Sequence, residues 1–147
     1  MSVITMIKEI KSIHPTAIAL VKIGNFYRAY WKDAYIMCKL FKYKIAEENK
    51  VYVCGFPSKA IKKVQATLEN KKINYLIIDR KDNYAVNGSM DFKNLNMYEK
   101  MLEDAKIYVS NMRRINEIKD ALSKNAGKEE LKKLLQSIEE CINAGKI

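Results

Sequence analysis

Thr16-Ala-Ile-Ala-Leu-Val-Lys-Ile-Gly-Asn-Phe-Tyr-Arg-Ala-Tyr30 is the stretch on which the fold turns. Thr16–Ile23 is rich in β-branched residues and almost unbroken in apolar ones, the pattern of a strand buried on both faces. Gly24-Asn25 interrupts it with a turn or a bulge. Phe26–Tyr30 is then either a second strand or a continuation of the first. Upstream, Ile4, Ile7, Ile10 and Ile13 recur at helical spacing, so residues 3–13 read as an amphipathic helix that Pro15 stops.

Downstream, Asp33 stands as an N-cap for a helix with Ala34, Met37, Cys38, Leu40 and Phe41 on its inner side. Short strands are expected at 43–46 and 51–54, with Glu47–Lys50 as the turn between them. Gly55-Phe56-Pro57-Ser58 reads as a chain break, with Ser58 capping a helix that turns Ile61, Val64 and Leu68 inward and Lys59, Lys62, Lys63 and Lys71 outward. Ile73–Ile78 alternates little and is expected to be a central strand. Asp79–Asn83 leads as a hairpin loop into Tyr84–Val86, and Asn87-Gly88 predicts another turn. Strands interleaved with helices define the class as α/β, a mixed sheet flanked by helices.

From Asn96 the pattern is purely helical. Met101, Tyr108, Ile115 and Leu122 are spaced by seven, and Ala105, Val109, Met112 and Ile118 widen the stripe. Asn125-Ala126-Gly127 ends that helix, and a second begins near Lys128 with Leu131, Leu134, Leu135, Ile138 and Ile142 on one face. The chain therefore divides into an α/β module, residues 1–94, and a C-terminal helical hairpin, residues 95–147. The longer helix carries more apolar surface than its partner can cover. It calls for packing on the module, on a second copy in a homodimer, or on a partner protein.

Composition narrows the function. The 147 residues are 48% apolar and 30% charged, an ordinary globular composition of about one domain's length. No apolar run approaches the ~18 residues of a membrane span, and the N-terminus has no signal-peptide hydrophobic region, so no membrane partner is expected. Cys38, Cys54 and Cys141 lack C-x-x-C spacing, which argues against a disulfide framework or zinc site and for a reducing cytoplasm. A single histidine, His14, excludes most His-dependent catalysis. Asp79, Asp82 and Asp91 gather near a strand end, but aspartates there are ordinarily turn residues rather than a nuclease's metal ligands. No enzyme activity, metal or cofactor is expected.

Charge and aromatics are unevenly placed. Residues 1–94 hold 17 Lys+Arg against 8 Asp+Glu and 12 of the aromatics; residues 95–147 hold 10 against 9 and only 2. A net of +9 on a module this small attracts polyanions without specifying which one. The same lysines serve equally to solubilise the surface.

Ile7-Lys8-Glu9-Ile10-Lys11, His14-Pro15, Lys22-Ile23-Gly24-Asn25-Phe26-Tyr27-Arg28, Asp33-Ala34, Gly55-Phe56-Pro57 and the apolar run Tyr75–Ile78 occur in this order over half the chain. The ordered set resembles the N-terminal mismatch-recognition domain, domain I, of the MutS family of DNA repair proteins. That family carries a leading helix, a Lys followed by His/Tyr-Pro, a strand running into Gly-Asp-Phe-Tyr-Glu, an Asp-Ala helix, a Gly-Val-Pro turn into a helix, and a further apolar strand. The order is specific where no single piece is.

The resemblance implies a nucleic-acid site at Lys22, Asn25, Phe26 and Arg28. Phe26 stands where the family's phenylalanine wedges into the duplex from the minor groove, an arrangement in which stacking offsets the unstacking of a weak pair. Read without the resemblance, Phe26 is a core aromatic beside a glycine turn. The family's base-contacting Glu falls on Arg28, a charge reversal that puts mismatch discrimination in doubt and adds a phosphate or minor-groove donor. Asn25 replaces the family's Asp. Lys22 matches a basic position and either faces phosphate or is an ordinary surface lysine. Tyr27 reads as core, with Tyr30 or Trp31 half-exposed.

The implied partner is DNA, duplex or distorted, with RNA as the second choice. No Gly-x-x-x-x-Gly-Lys-Ser/Thr occurs, and the chain has no room for the family's connector, lever and clamp domains, so neither ATPase nor clamp is expected. The alternative is an adaptor that keeps the fold and binds a partner protein through the helical hairpin.

Overall fold

The isoleucine spacing produces its helix where expected. In the computed structural model, which describes residues 2–147, helix α1 spans Val3–Ile13, with the Ser2 hydroxyl accepting the Thr5 N–H at 3.2 Å as its N-cap. The chain then enters β1 (Ile18–Ile23), turns at Gly24-Asn25 and returns antiparallel as β2 (Phe26–Tyr30). Helix α2 (Lys32–Phe41) follows, then a hairpin of β3 (Ile45–Glu48) and β4 (Val51–Pro57), a short 3-10 turn at Ser58–Ala60 and helix α3 (Ile61–Asn70). β5 (Tyr75–Asp79) and β6 (Ala85–Met90) complete one mixed sheet in the order β3-β4-β2-β1-β5-β6. Only β1 and β5 run parallel; every other neighbour is antiparallel.

Side chains alternate across the sheet, and each face has its own core. On one, Leu20, Tyr27, Ala29, Phe56 and Tyr75 pack with Ala34, Ile36 and Met37 of α2 and Val64 and Leu68 of α3. The first turns of α4 (Leu95–Lys124) close this layer with Tyr98, Leu102 and Ala105. On the other face, Ala19, Val21, Tyr30, Val53, Leu76 and Ile78 pack beneath Ile7 of α1. Tyr27 is core as expected, Tyr30 is buried with it, and Trp31 is the half-exposed one.

Three local expectations are corrected. Asp33 does not cap α2: the N-cap is Trp31, and Asp33 lies inside the first turn at 1% exposure. Gly55-Phe56-Pro57 does not break the chain but finishes β4. β3 pairs only with Val51–Cys54, so the last residues of β4 need a ladder on one side alone, where proline is tolerated. Ser58 accordingly opens the 3-10 turn and caps nothing with its side chain. Asn87-Gly88 does not turn either; it lies within β6 at the bulge opposite Ile77 and Ile78. A Cβ on Gly88 would approach Ile77 Cγ1 to 3.2 Å, so the glycine serves close packing.

What Asp33 does instead is join four elements. Its carboxylate accepts the Ala19 N–H of β1 at 3.0 Å, the Lys11 ammonium of α1 at 2.9 Å and the Tyr98 hydroxyl of α4. Burial pushes the Asp33 carboxyl above its usual range, against the pull of Lys11, Tyr98 and the Ala19 N–H. Lys11 also donates to the Ala17 and Pro15 carbonyls and lies 4.8 Å from the centre of the Tyr98 ring.

The chain forms two compact units, one ending at Val109 and one beginning at Ser110, so α4 contributes to both. Within the first, the buried stripe of α4 is Tyr98, Leu102, Ala105 and Val109, with Met101 at its margin. Within the second, α4 runs on to Lys124 and α5 (Leu131–Asn143) follows after Asn125–Glu130. Ile115, Ile118, Leu134, Leu135 and Ile142 are exposed there. Among the described residues no helix is long and apolar enough to cross a membrane.

Tyr98→Phe is expected to lower stability by about 1.5–3 kcal/mol in urea unfolding at neutral pH, the usual worth of a hydrogen bond to a charged group. Burial, then the Asp33 carboxylate, raise the Tyr98 hydroxyl above its ordinary 10.0. The folded state therefore holds that proton more tightly than the unfolded state does. The advantage of the native chain over Tyr98→Phe should be complete below about pH 10 and decline as pH rises beyond it.

Candidate functional site

The β1–β2 connection is a two-residue turn, since Ile23 pairs with Phe26. Gly24 has φ +62° while Asn25 has no positive φ, the signature of a turn that needs glycine at its first central position. The Asn25 carbonyl accepts the Ser58 N–H at 2.8 Å, tying the tip to the chain leaving β4. Gly24, Asn25 and Phe26 are all exposed, and Phe26 at 51% is not a core aromatic.

Strand alternation then sorts the site residues. Cross-strand partners share a face, so Ile23 with Phe26 and Val21 with Arg28 lie on the side that α1 covers, and Lys22 with Tyr27 lie on the other. Phe26, Arg28 and the tip residue Asn25 come together; Lys22 is separated from them by the sheet itself. Phe26 and Arg28 line a recess of about 260 Å³ with Lys44 and Glu48. Arg28 also lines an adjoining groove of about 480 Å³ with Ile23, Glu48 and Arg80. Sequence reasoning does not single out Lys44, Glu48 or Arg80. They reach Arg28 only through the order of the strands, which no local pattern encodes.

Arg28 Nη1 meets Glu48 Oε2 at 3.3 Å, with the two side chains 39% and 55% exposed. An ion pair this open contributes about 0–1 kcal/mol, so a phosphate can take the carboxylate's place without a large penalty. Arg28 also acts on Tyr30, whose hydroxyl is raised by burial while the guanidinium draws it back down.

Little else offers reactive chemistry. No group of three or more His, Cys, Asp or Glu among the described residues is arranged to hold a metal ion. Asp79 and Asp91 accept the backbone N–H groups of Lys81 and Lys93 at 2.9 and 2.8 Å, as turn aspartates do, and the Lys93 N–H is the main cause of the lowered Asp91 carboxyl. Burial raises the Cys38 thiol and pushes Cys54 up to about 12, so neither thiolate is populated near neutrality.

The model of MutS domain I matches residues 2–93, well over half of the chain, and the chain belongs to that family. The matched span holds the whole sheet and the Phe26 tip. No curated protein matches the chain.

Phe26→Ala is expected to change unfolding free energy by no more than about 1 kcal/mol, the scale of one cross-strand pair. A buried phenylalanine would cost about 3–5 kcal/mol, so urea denaturation distinguishes the two placements cleanly.

Proposed function

We propose that this chain is a non-enzymatic, cytoplasmic nucleic-acid-binding protein whose contact surface is the β1–β2 tip, with duplex or distorted DNA as its first ligand and RNA as its second. The observation that carries this reading is an exposed phenylalanine at the family's wedge position, on the same face as Arg28 and sharing a recess with Lys44, with Arg80 in the adjoining groove that Arg28 lines. Phe26 inserts at a base step, where its ring offsets part of the stacking lost. Arg28, Lys44 and Arg80 hold the backbone. With a guanidinium in place of the family's carboxylate, position 28 grips phosphate or the minor groove instead of accepting from a mispaired base. Weak discrimination between matched and mismatched duplexes follows.

Gel-shift titrations at several salt concentrations test this. Three phosphate contacts predict a slope of log affinity against log salt near about −3, and Arg28→Ala should reduce that slope by about one. Phe26→Ala should weaken binding on the order of tenfold while leaving the slope unchanged, since it removes stacking and not charge. Glu48→Gln should tighten binding a few-fold by releasing Arg28. Absence of binding to duplex, mismatched duplex, single strand and RNA at low salt removes the proposal.

A second reading, an adaptor that binds a partner protein or a second copy, is supported by the exposed Ile115, Ile118, Leu134, Leu135 and Ile142 of the helical unit. Sedimentation at two protein concentrations, with and without Leu134→Lys, tests it. Self-association that the lysine abolishes supports the second-copy form.

A further inference from the structure

The far end of β2 carries a second concave surface that the tip does not use. Where β2 gives way to α2, Trp31 sits at φ 52° and ψ −123°, a conformation that a bulky aromatic adopts only when its surroundings impose it. They do so here. The Trp31 N–H donates to the Tyr52 carbonyl at 2.9 Å, and the Trp31 carbonyl accepts the Ala34 and Tyr35 N–H groups at 3.0 and 3.3 Å. Glycine would take this conformation without strain, so the indole is held in place against the local backbone preference.

With Tyr35, Tyr52 and Pro15, that indole lines a cavity of about 450 Å³, inside the range of roughly 300–1,000 Å³ common to small-ligand sites. Tyr35 and Tyr52 pack on each other with centroids 5.4 Å apart at 49°, and all three aromatics are half-buried. The charge around them has one sign. Lys32 and Lys11 line the cavity, and Lys8 Nζ lies 5.7 Å from the centre of the Trp31 ring. No carboxylate of the described residues lines it. Asp33 already holds Lys11, which leaves Lys32 on the lining and Lys8 over the indole as the exposed cations beside the cavity.

This chemistry selects its occupant. A quaternary or primary amine would suit the aromatic walls but would meet two ammonium groups of its own sign. An aliphatic acid would use the lysines and waste the rings. A flat heteroaromatic ring carrying a phosphate uses both, stacking on the indole while its anion meets the lysines. We propose that the cavity binds a nucleobase with its phosphate, either as a free mononucleotide or as an unpaired base of a nucleic-acid strand. Five residue steps of extended chain separate Trp31 from Phe26, roughly 17 Å, so the site stands whether or not the tip binds DNA.

Trp31 is the only tryptophan in the chain, and its fluorescence reports the site directly. The full chain would be titrated with adenosine, adenosine monophosphate and a short single-stranded oligodeoxyadenylate. Saturable quenching by the monophosphate and the oligonucleotide assigns a free nucleotide; quenching by the oligonucleotide alone assigns a base within a strand. In either case the double variant Lys8→Ala, Lys32→Ala, at two exposed positions, should weaken quenching on the order of tenfold. Tyr35→Ala should do the same through lost stacking, and if it does not fold the lysine variant carries the test. Phe26→Ala should leave the quenching intact, which separates this site from the tip. The proposal is overturned if neither nucleotide quenches, if adenosine equals its monophosphate, if the lysine variant binds as the native chain does, or if Phe26→Ala abolishes the signal.

Discussion

A carboxylate almost sealed from water, Asp33, receives a lysine, a tyrosine hydroxyl and a backbone N–H from three different elements, and the layers of the domain meet there. A charge buried this deeply is tolerable only while its donors stay in place, and removing one partner of such a group ordinarily costs several kcal/mol. The contact therefore demands that α1, β1, α2 and α4 arrive together. Lys11 comes from the helix on one face of the sheet and Tyr98 from a helix on the other. Their meeting point lies where β2 becomes α2, two residues beyond the strained Trp31 and one before the buried Ala34. The backbone conformation at Trp31 follows from satisfying the charge and entering the helix within two residues.

From that anchor, the hairpin projects to the opposite end of β2. The alternation that buries Tyr27 and Ala29 under α2 and α3 obliges Phe26 and Arg28 to face the other way. At the start of the strand Phe26 is only half covered, because Gly24-Asn25 ends the hairpin there. A ring left half in water is unfavourable for folding alone, and the cations gathered beside it give the face a sign. Glu48 moderates that sign at a single point. Its pair with Arg28 is open to solvent and contributes little to stability.

The two concave surfaces are built from different aromatic residues. One is basic and led by a single exposed phenyl ring; the other is walled by four rings and edged by lysines. Both depend on β2, whose residues alternate between core and surface along its length and whose two ends are set by a glycine turn and a left-handed tryptophan. The second compact unit leaves apolar positions of its helices open to solvent.

Periodicity and turn chemistry are local quantities, and what they control was legible in the chain. The isoleucine helix, the glycine turn, the buried strands read within 16–23 and 73–78, the burial of Tyr27 and the helical tail all follow from neighbours within a few residues. So does the family resemblance, which is an order of short motifs. Asp33 misled because an aspartate before an apolar helix looks the same whether it caps that helix or takes donors from residues 11, 19 and 98. Asn87-Gly88 misled because a glycine that makes room for Ile77 has the same local signature as one that turns. The hairpin register set Lys22 on the face opposite Phe26, and the sheet order brought Lys44, Glu48 and Arg80 to Arg28. Contacts between segments distant in sequence are decided by which faces can be buried together, and that is a property of the assembled layers that no window of sequence contains.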